Sequence, residues 1–299
     1  MRTRAYALIV IAAILWGIIS IFVKGLAELG FSILQIVAIR VALSAILLVL
    51  YIAVKDRSLL KIQLTDSKYF IGTGVFSIAF FNWCYFTAIR ETSVAVAAIL
   101  LYTAPVFVLL LSRIFLGECL NIGKITALTV TFIGCGLVVG ILPAGLNESI
   151  SLYGLATGLG AGFGYALYSI FGKFALRRYS AVTVTVYTFI FAAVVMLPVS
   201  GFWEVRALLF NGQAVAYSVG FSLFSTVFAY LCYTVALSHI ETGRAAIVVT
   251  LEPIVAAIVG TMLFDEVLNN WQLFGIILVI VAVVSVQRIN TSNRADGSD

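Results

Sequence analysis

Charge is what this sequence has least of. Only 10% of its 299 residues are charged, whereas 63% are hydrophobic and the mean hydropathy is +1.14. A water-soluble domain of this length needs far more polar surface, so the composition excludes one and defines a polytopic membrane protein. Histidine occurs once, as His239, near the junction of the eighth and ninth apolar stretches. Histidine ligation or histidine catalysis within the membrane is therefore unsupported. The four cysteines (Cys84, Cys119, Cys135, Cys232) have neither CxxC nor metal-ligand spacing and read as small packing residues. The chain holds no glycine-rich phosphate loop, no HExxH and no acid pair on one face, which argues against an intramembrane enzyme and calls for no cofactor and no metal. The pI of about 9.0 and net charge of +5 raise nucleic acid as a partner, but no basic cluster supports it.

What the chain has in quantity is long apolar runs. A bilayer core of ~30 Å needs about 20 apolar residues per helix, and ten stretches meet or approach that length. They lie near 5–23, 34–54, 69–89, 94–115, 124–142, 152–172, 182–200, 214–237, 245–264 and 271–287. The runs are continuous, without the alternation of barrel strands, so they read as helices that satisfy their own backbone in lipid. Arg2 and Arg4 before the first run resemble a signal peptide, but that run has an internal repeat-mate and is expected to be a retained helix. The loops are short and leave no room for a soluble domain.

The basic residues sit between the runs. With the N-terminus inside, the inner segments hold Arg2, Arg4, Lys55, Arg57, Lys61, Lys68, Arg113, Lys124, Lys173, Arg177, Arg178, Arg244, Arg288 and Arg294, and the outer segments hold only Lys24, Arg90 and Arg206. Fourteen against three, with Arg40 inside a span, predicts cytoplasmic termini in the cell (inner) membrane. The tail from about residue 289 is polar and expected to be disordered.

The sequence also occurs twice. Ser20-Ile21-Phe22-x-Lys24 returns as Ser169-Ile170-Phe171-x-Lys173. Further on, Gly72, Phe76, Ser77, Phe80, Cys84 and Tyr85 return 148 residues later as Gly220, Phe224, Ser225, Phe228, Cys232 and Tyr233. Ala88, Ala97, Ala98, Pro105 and Glu118 return as Ala236, Ala245, Ala246, Pro253 and Glu266. Residues 1–145 and 146–299 thus form two repeats of five spans, joined by a connector carrying Pro143, Gly145, Asn147, Glu148 and Ser149. An odd number of spans per repeat forces the halves to insert upside down relative to each other. Inverted repeats are a hallmark of secondary transporters, whose site lies where the repeats meet.

A few residues within the spans carry chemistry. Of four prolines (Pro105, Pro143, Pro198, Pro253), two fall mid-span at equivalent places and deprive the Leu101 and Val249 carbonyls of their donors, marking a packing kink or a hinge. Glu252, just before Pro253, is the only carboxylate deep within a span; it must be neutral, paired or facing water. It serves either as a ligand or proton carrier, or as a hydrogen bond between helices. Arg40 either snorkels or anchors carbonyls, or else meets an anionic group. Glu118 and Glu266 close the fourth and ninth spans on opposite faces, as loop or capping residues or as gates. Gly154, Gly158 and Gly162 line one face of the sixth span, where small residues allow close helix packing. Trp16, Asn82, Tyr85, Tyr102, Tyr165, Tyr168, Tyr230 and Tyr233 lie within spans and carry polar tips that need partners. With Glu252 they are the expected substrate-binding residues, since aromatic walls with a few hydrogen-bonding groups suit a small organic molecule.

The order Leu15-Trp16-Gly17, Arg40, Tyr85-x-x-Ala88, Ala97-Ala98, Pro105 and Leu116-Gly117-Glu118 resembles the drug/metabolite transporter superfamily, EamA type. Tyr233-x-x-Ala236, Ala245-Ala246, Leu251-Glu252-Pro253 and Phe264-Asp265-Glu266 repeat it in the second half, with Asp265 where the family usually has Gly. The resemblance implies an all-α membrane protein of ten helices in two inverted five-helix repeats, around a cavity lined by helices 1, 3, 4, 6, 8 and 9. It implies movement, often outward, of small metabolites such as amino acids. The expected partners are that small-molecule substrate and the lipid bilayer; proton coupling and a homodimer are open. The rival readings are a scaffold or sensor, which would need an interaction domain or charged tail, and a passive channel, which would need a polar stripe on several helices.

Overall fold

The computed structural model describes residues 2–142, 151–205, 208 and 210–288. The connector 143–149, Arg206 and the tail from 289 lie outside the described residues. Among the described residues every regular element is helical, and ten long helical segments follow one another: α1 (Arg2–Glu28), α2 (Ile33–Lys55), α3 (Leu64–Glu91), α4 (Val94–Leu116), α5 (Ile122–Val138), α6 (Leu152–Ala175), α7 (Ala181–Val199), α8 (Gly212–Leu237), α9 (Thr242–Leu263) and α10 (Asn270–Arg288). Eight are long and apolar enough to cross a bilayer; α5 is shorter, with 17 residues, and α6 has 24 residues diluted by glycine. Polar residues start the helices where they should. Ser32, Ser93, Asn121, Ser151, Ser180 and Asn211 each accept a hydrogen bond from the first turn of the helix they precede.

The two inverted halves interlock. Helix α1 packs on α8 and α9, as its mate α6 packs on α3 and α4. Mates also pair directly, α2 with α7 and α5 with α10, while α7 packs on α3 as well and α2 on α8. Each half therefore buries its apolar stripe mainly on the other. The two faces of the bundle differ in charge: α1 begins at the basic face and ends at the opposite face.

The glycines of α6 make its packing possible. A side chain at Gly158 would enter Leu100, and one at Gly162 would meet Thr103 and the Leu100 carbonyl, both on α4. Gly160 and Gly164 face α3 instead, against Cys84 and Phe81. Gly158→Leu is therefore expected to force α6 away from α4 and destabilise the fold by about 3 kcal/mol. A fall in the melting temperature of purified protein checks it, and an unchanged melting temperature would contradict it.

A clamp expected from no motif joins the halves at the basic face. Arg178 donates to both oxygens of Asp66, at 2.9 and 3.1 Å, and the Tyr179 hydroxyl donates to Asp66 Oδ2 at 2.7 Å. The Tyr187 hydroxyl donates to the Leu60 carbonyl. The loop between α2 and α3, with its 3-10 turn at Arg57–Leu60, and the 3-10 start of α3 at Leu64–Asp66 are thus tied down on α7 and on the turn that follows α6.

Candidate functional site

Four helices change geometry at mid-bundle, and they surround the site. In α3 the turns from Gly72 to Ala79 are π-helical, and in α8 so are those from Leu223 to Phe228. These stretches are repeat-related, and wide π turns recur at functional sites. The Thr226 hydroxyl donates to the Phe221 carbonyl five residues back, at 3.1 Å, which suits the π spacing.

Helices α4 and α9 are broken rather than bent. Helix α4 stops at Leu101 and restarts at Ala104; α9 runs from Thr242 to Val248, tightens into a 3-10 turn at Val249–Leu251 and restarts at Glu252. Pro105 and Pro253 each lie in the first turn of the second half-helix, where a missing N–H is harmless. One sequence expectation is corrected here. The Val249 carbonyl is not left without a donor, because the 3-10 turn brings the Glu252 amide onto it. A shortened i→i+3 bond replaces the one Pro253 cannot make.

Two small cavities lie between these elements. One, of about 10 Å³, is walled by Trp16, Ser77, Ile78, Phe81, Tyr165, Tyr168, Ser169, Tyr230 and Tyr233. The Trp16 ring stands 5.1 Å from Tyr230, 5.4 Å from Tyr233 and 6.3 Å from Tyr165, centroid to centroid. Tyr168 meets Tyr230 edge-on at 5.1 Å. The second, of about 20 Å³, is walled by Leu101, Tyr102, Ala104, Pro105, Tyr165, Val249, Thr250 and Glu252. Each has room for roughly one water. Tyr165 walls both, and its buried hydroxyl has no hydrogen-bond partner. An unsatisfied hydroxyl is costly where water is excluded, so a bound molecule that partners it gains a hydrogen bond.

Two of the neighbouring tyrosine tips have partners. Tyr168 shares a hydrogen bond with Thr234 at 2.6 Å, and Tyr233 shares one with Ser169 at 2.7 Å. The structure thus gathers Trp16, Tyr102, Tyr165, Tyr168, Tyr230, Tyr233, Pro105 and Glu252 around the two cavities; Pro253 is buried directly behind Glu252. It does not place Asn82 or Tyr85 on either wall. Asn82 is buried and donates its amide back to the Ile78 carbonyl at 2.7 Å, while Tyr85 stacks on Phe81 at 5.8 Å. Arg40 does not snorkel. It is 7% exposed, with its guanidinium 5.1 Å from the Phe221 ring, and it lies within electrostatic reach of Tyr230 and Glu252. Ser77 and Ser169 went unnoticed as wall residues, although both belong to the repeated segments. His239 is exposed beside Ser238, and the described residues hold no cluster of three or more possible metal ligands.

A broken-helix site enclosed between two inverted five-helix halves defines a membrane transporter. Comparison with known proteins agrees. The model of the EamA-like transporter family matches the chain twice, over residues 3–140 and 152–287, and the chain belongs to that family. It is a multi-pass membrane transporter and not an enzyme. An "uncharacterized transporter" of Archaeoglobus fulgidus is 27% identical over 94% of this chain and 96% of its own length. The threonine/homoserine exporter RhtA of Salmonella typhimurium is 26% identical, over 69% of this chain and 66% of its own. A solved crystal structure superposes with a TM-score of 0.79 over 95% of this chain and 96% of that one; at 14% identity it speaks for the fold alone.

Proposed function

We propose that this transporter is a secondary exporter of small amino-acid-like metabolites, working by alternating access through the central cavity. The observation that carries the reading is the shared wall. Tyr165 separates an aromatic box from a chamber that holds the only deep carboxylate, and it offers an unpartnered hydroxyl to both. An aromatic box suits the apolar part of an amphipathic substrate, and the Glu252 carboxylate suits its ammonium or a counter-transported proton. The likeness to an exporter of threonine and homoserine supports both the direction and the substrate class. The residue pairs that carry the site come from both repeats, taken as 1–145 and 146–299.

The decisive experiment is uptake and efflux of pooled labelled amino acids and related metabolites in liposomes containing the purified protein. Saturable flux of at least one compound, without ATP, supports the reading. Flux of none, or flux that rises linearly with concentration, contradicts it.

Orientation belongs to the same proposal: the basic face is cytoplasmic. Single cysteines at Ser58 and Ser180, both exposed at the basic face, are expected to resist an impermeant thiol reagent applied to intact cells. For the opposite face Ser200 is a poor probe, because it is only 6% exposed, and Asn147 lies outside the described residues. Phe210, 91% exposed, is the better position, and a cysteine there is expected to react. External labelling at Ser58 contradicts this orientation.

A further inference from the structure

The duplication gives each residue at the basic face a mate at the opposite face, and two pairs of mates do different things. After α4, Gly117 takes a left-handed conformation (φ 69°) and the Glu118 amide donates to the Ser112 carbonyl at 3.2 Å. After α9, Asp265 takes the same conformation (φ 55°) and the Glu266 amide donates to the Gly260 carbonyl, also at 3.2 Å. The backbone thus presents Glu118 and Glu266 in the same way. Asp265 accepts a positive φ that disfavours any residue with a Cβ, which explains why glycine is favoured there.

Their side chains differ completely. Glu118 reaches across to the start of α9, where Oε1 accepts from the Thr242 amide at 2.6 Å and Oε2 from the Gly243 amide at 3.0 Å. Beside it Lys173, at the end of α6, donates to the Leu237 and Ile240 carbonyls at the end of α8, at 2.6 and 2.8 Å. At the opposite face the duplication places Glu266 against Val94 and Ala95, and Lys24 against Ile89 and Thr92. Neither engages its counterpart. Glu266 and Lys24 instead turn to each other at 3.8 Å, with side chains 60% and 48% exposed, and Lys24 Nζ lies 3.3 Å from the Phe264 ring centroid.

The packing of the helix ends follows the same division. At the basic face, Ala104–Leu111 of α4 packs on Thr242–Val248 of α9. At the opposite face the equivalent segments, Val94–Leu101 and Glu252–Leu263, lack that packing and meet only around the small cavity that Leu101 and Glu252 both wall. The mates Thr242 and Val94 show it most simply, at 0% and 65% exposure.

We propose that Glu118 with Lys173 and Glu266 with Lys24 are two mirror-image gate latches, and that the structure shows the basic-face latch fastened and the opposite one released. On switching, Glu266 accepts from the Val94 and Ala95 amides and Lys24 donates to the Ile89 and Thr92 carbonyls. Glu118 and Lys173 then fall back onto each other, as Glu266 and Lys24 do now. A fixed helix cap explains the contacts of Glu118 but not the idleness of a mate on an identical turn. The energies fit a switch. Charge-assisted bonds to backbone groups are about twice as strong as neutral ones, whereas an exposed ion pair contributes little. Each latch therefore holds only when its own face is shut. The inference takes the transporter assignment as given and is independent of which substrate is carried.

The test needs no substrate. Spin labels at Arg90 and Met262, exposed positions on the outer ends of α3 and α9, report the width of the opposite mouth by pulsed electron–electron resonance, in a background lacking the four native cysteines. Glu118→Gln with Lys173→Met is expected to move the distance distribution to shorter values, with at least a tenfold change in the ratio of the two populations. The mirror pair, Glu266→Gln with Lys24→Met, is expected to keep the long distance. Unchanged distances in the first pair, or shortening in the mirror pair, overturn the proposal. If the first pair fails to fold, Lys173→Met alone is read by the same criterion. Failure of that single variant to fold also overturns it, because both residues would then be structural caps.

Discussion

Glu252→Gln is expected to fold normally and to lose pH-dependent, concentrative transport by about a hundredfold. The reasoning starts from cost. An ionised carboxylate at bilayer depth is penalised by about 2.5–3.5 kcal/mol on the most lenient scales. The chain bears that cost in one half only, since the repeat-mate of Glu252 is Ala104. Glu252 sits at the restart of α9 on the wall of the second cavity, with Tyr102 and Tyr165 for neighbours. Its amide, not its carboxylate, tightens the break in the helix. Glutamine preserves that amide and the side-chain shape, so the fold has little reason to change. What glutamine removes is the charge and the exchangeable proton that the proposed function assigns to this carboxylate. Flux driven by a pH gradient in liposomes checks this, with the melting temperature as the control for folding. Full flux with unchanged pH dependence ends the functional role of Glu252 and leaves the family assignment intact.

Tyr165→Phe is expected to reduce transport about tenfold with no loss of stability. Its hydroxyl is buried and without a partner, so removing it relieves a desolvation penalty of roughly 1–3 kcal/mol, while a bound substrate loses its anchor. The neighbouring tyrosines behave differently. Tyr233→Phe strands the Ser169 hydroxyl and Tyr168→Phe strands that of Thr234, so both are expected to lower the melting temperature. Trp16 is 6% exposed and wedged among three tyrosine rings, so its alanine variant costs about 3–5 kcal/mol and tests packing as much as transport. Equal effects of Tyr165→Phe on folding and flux contradict its role as a substrate contact.

Much of the architecture is legible in the sequence because a bilayer imposes so strict a rule. Ten apolar runs, the 148-residue echo and the scarcity of charge lead directly to ten helices in two inverted halves, with ends mostly within a few residues of those observed. The helix–helix contact at Gly158 and Gly162 is legible for the same reason, since in lipid small residues mark close approach. The site is less legible. Helical periodicity assumes 3.6 residues per turn, and the π turns at Gly72–Ala79 and Leu223–Phe228 break that register beside the cavity. Asn82 looked like a wall residue on an ideal wheel, but it turns its amide onto its own helix. The Val249 carbonyl looked donorless because a proline follows four residues later, yet a local 3-10 turn supplies the Glu252 amide. The different partners of Glu118 and Glu266 were invisible for a deeper reason: a sequence is common to every state of a transporter, and only a structure selects one.

The most direct measurement is counterflow in liposomes containing the purified protein and loaded in turn with each member of a panel of small amino-acid-like metabolites, comparing the wild type with Tyr165→Phe and Glu252→Gln. A saturable exchanger whose flux falls in both variants while their folding is unchanged is the predicted result. Flux that is absent from the wild type for every member of the panel, or that persists undiminished in both variants, would contradict a substrate site at the junction of α4, α6 and α9.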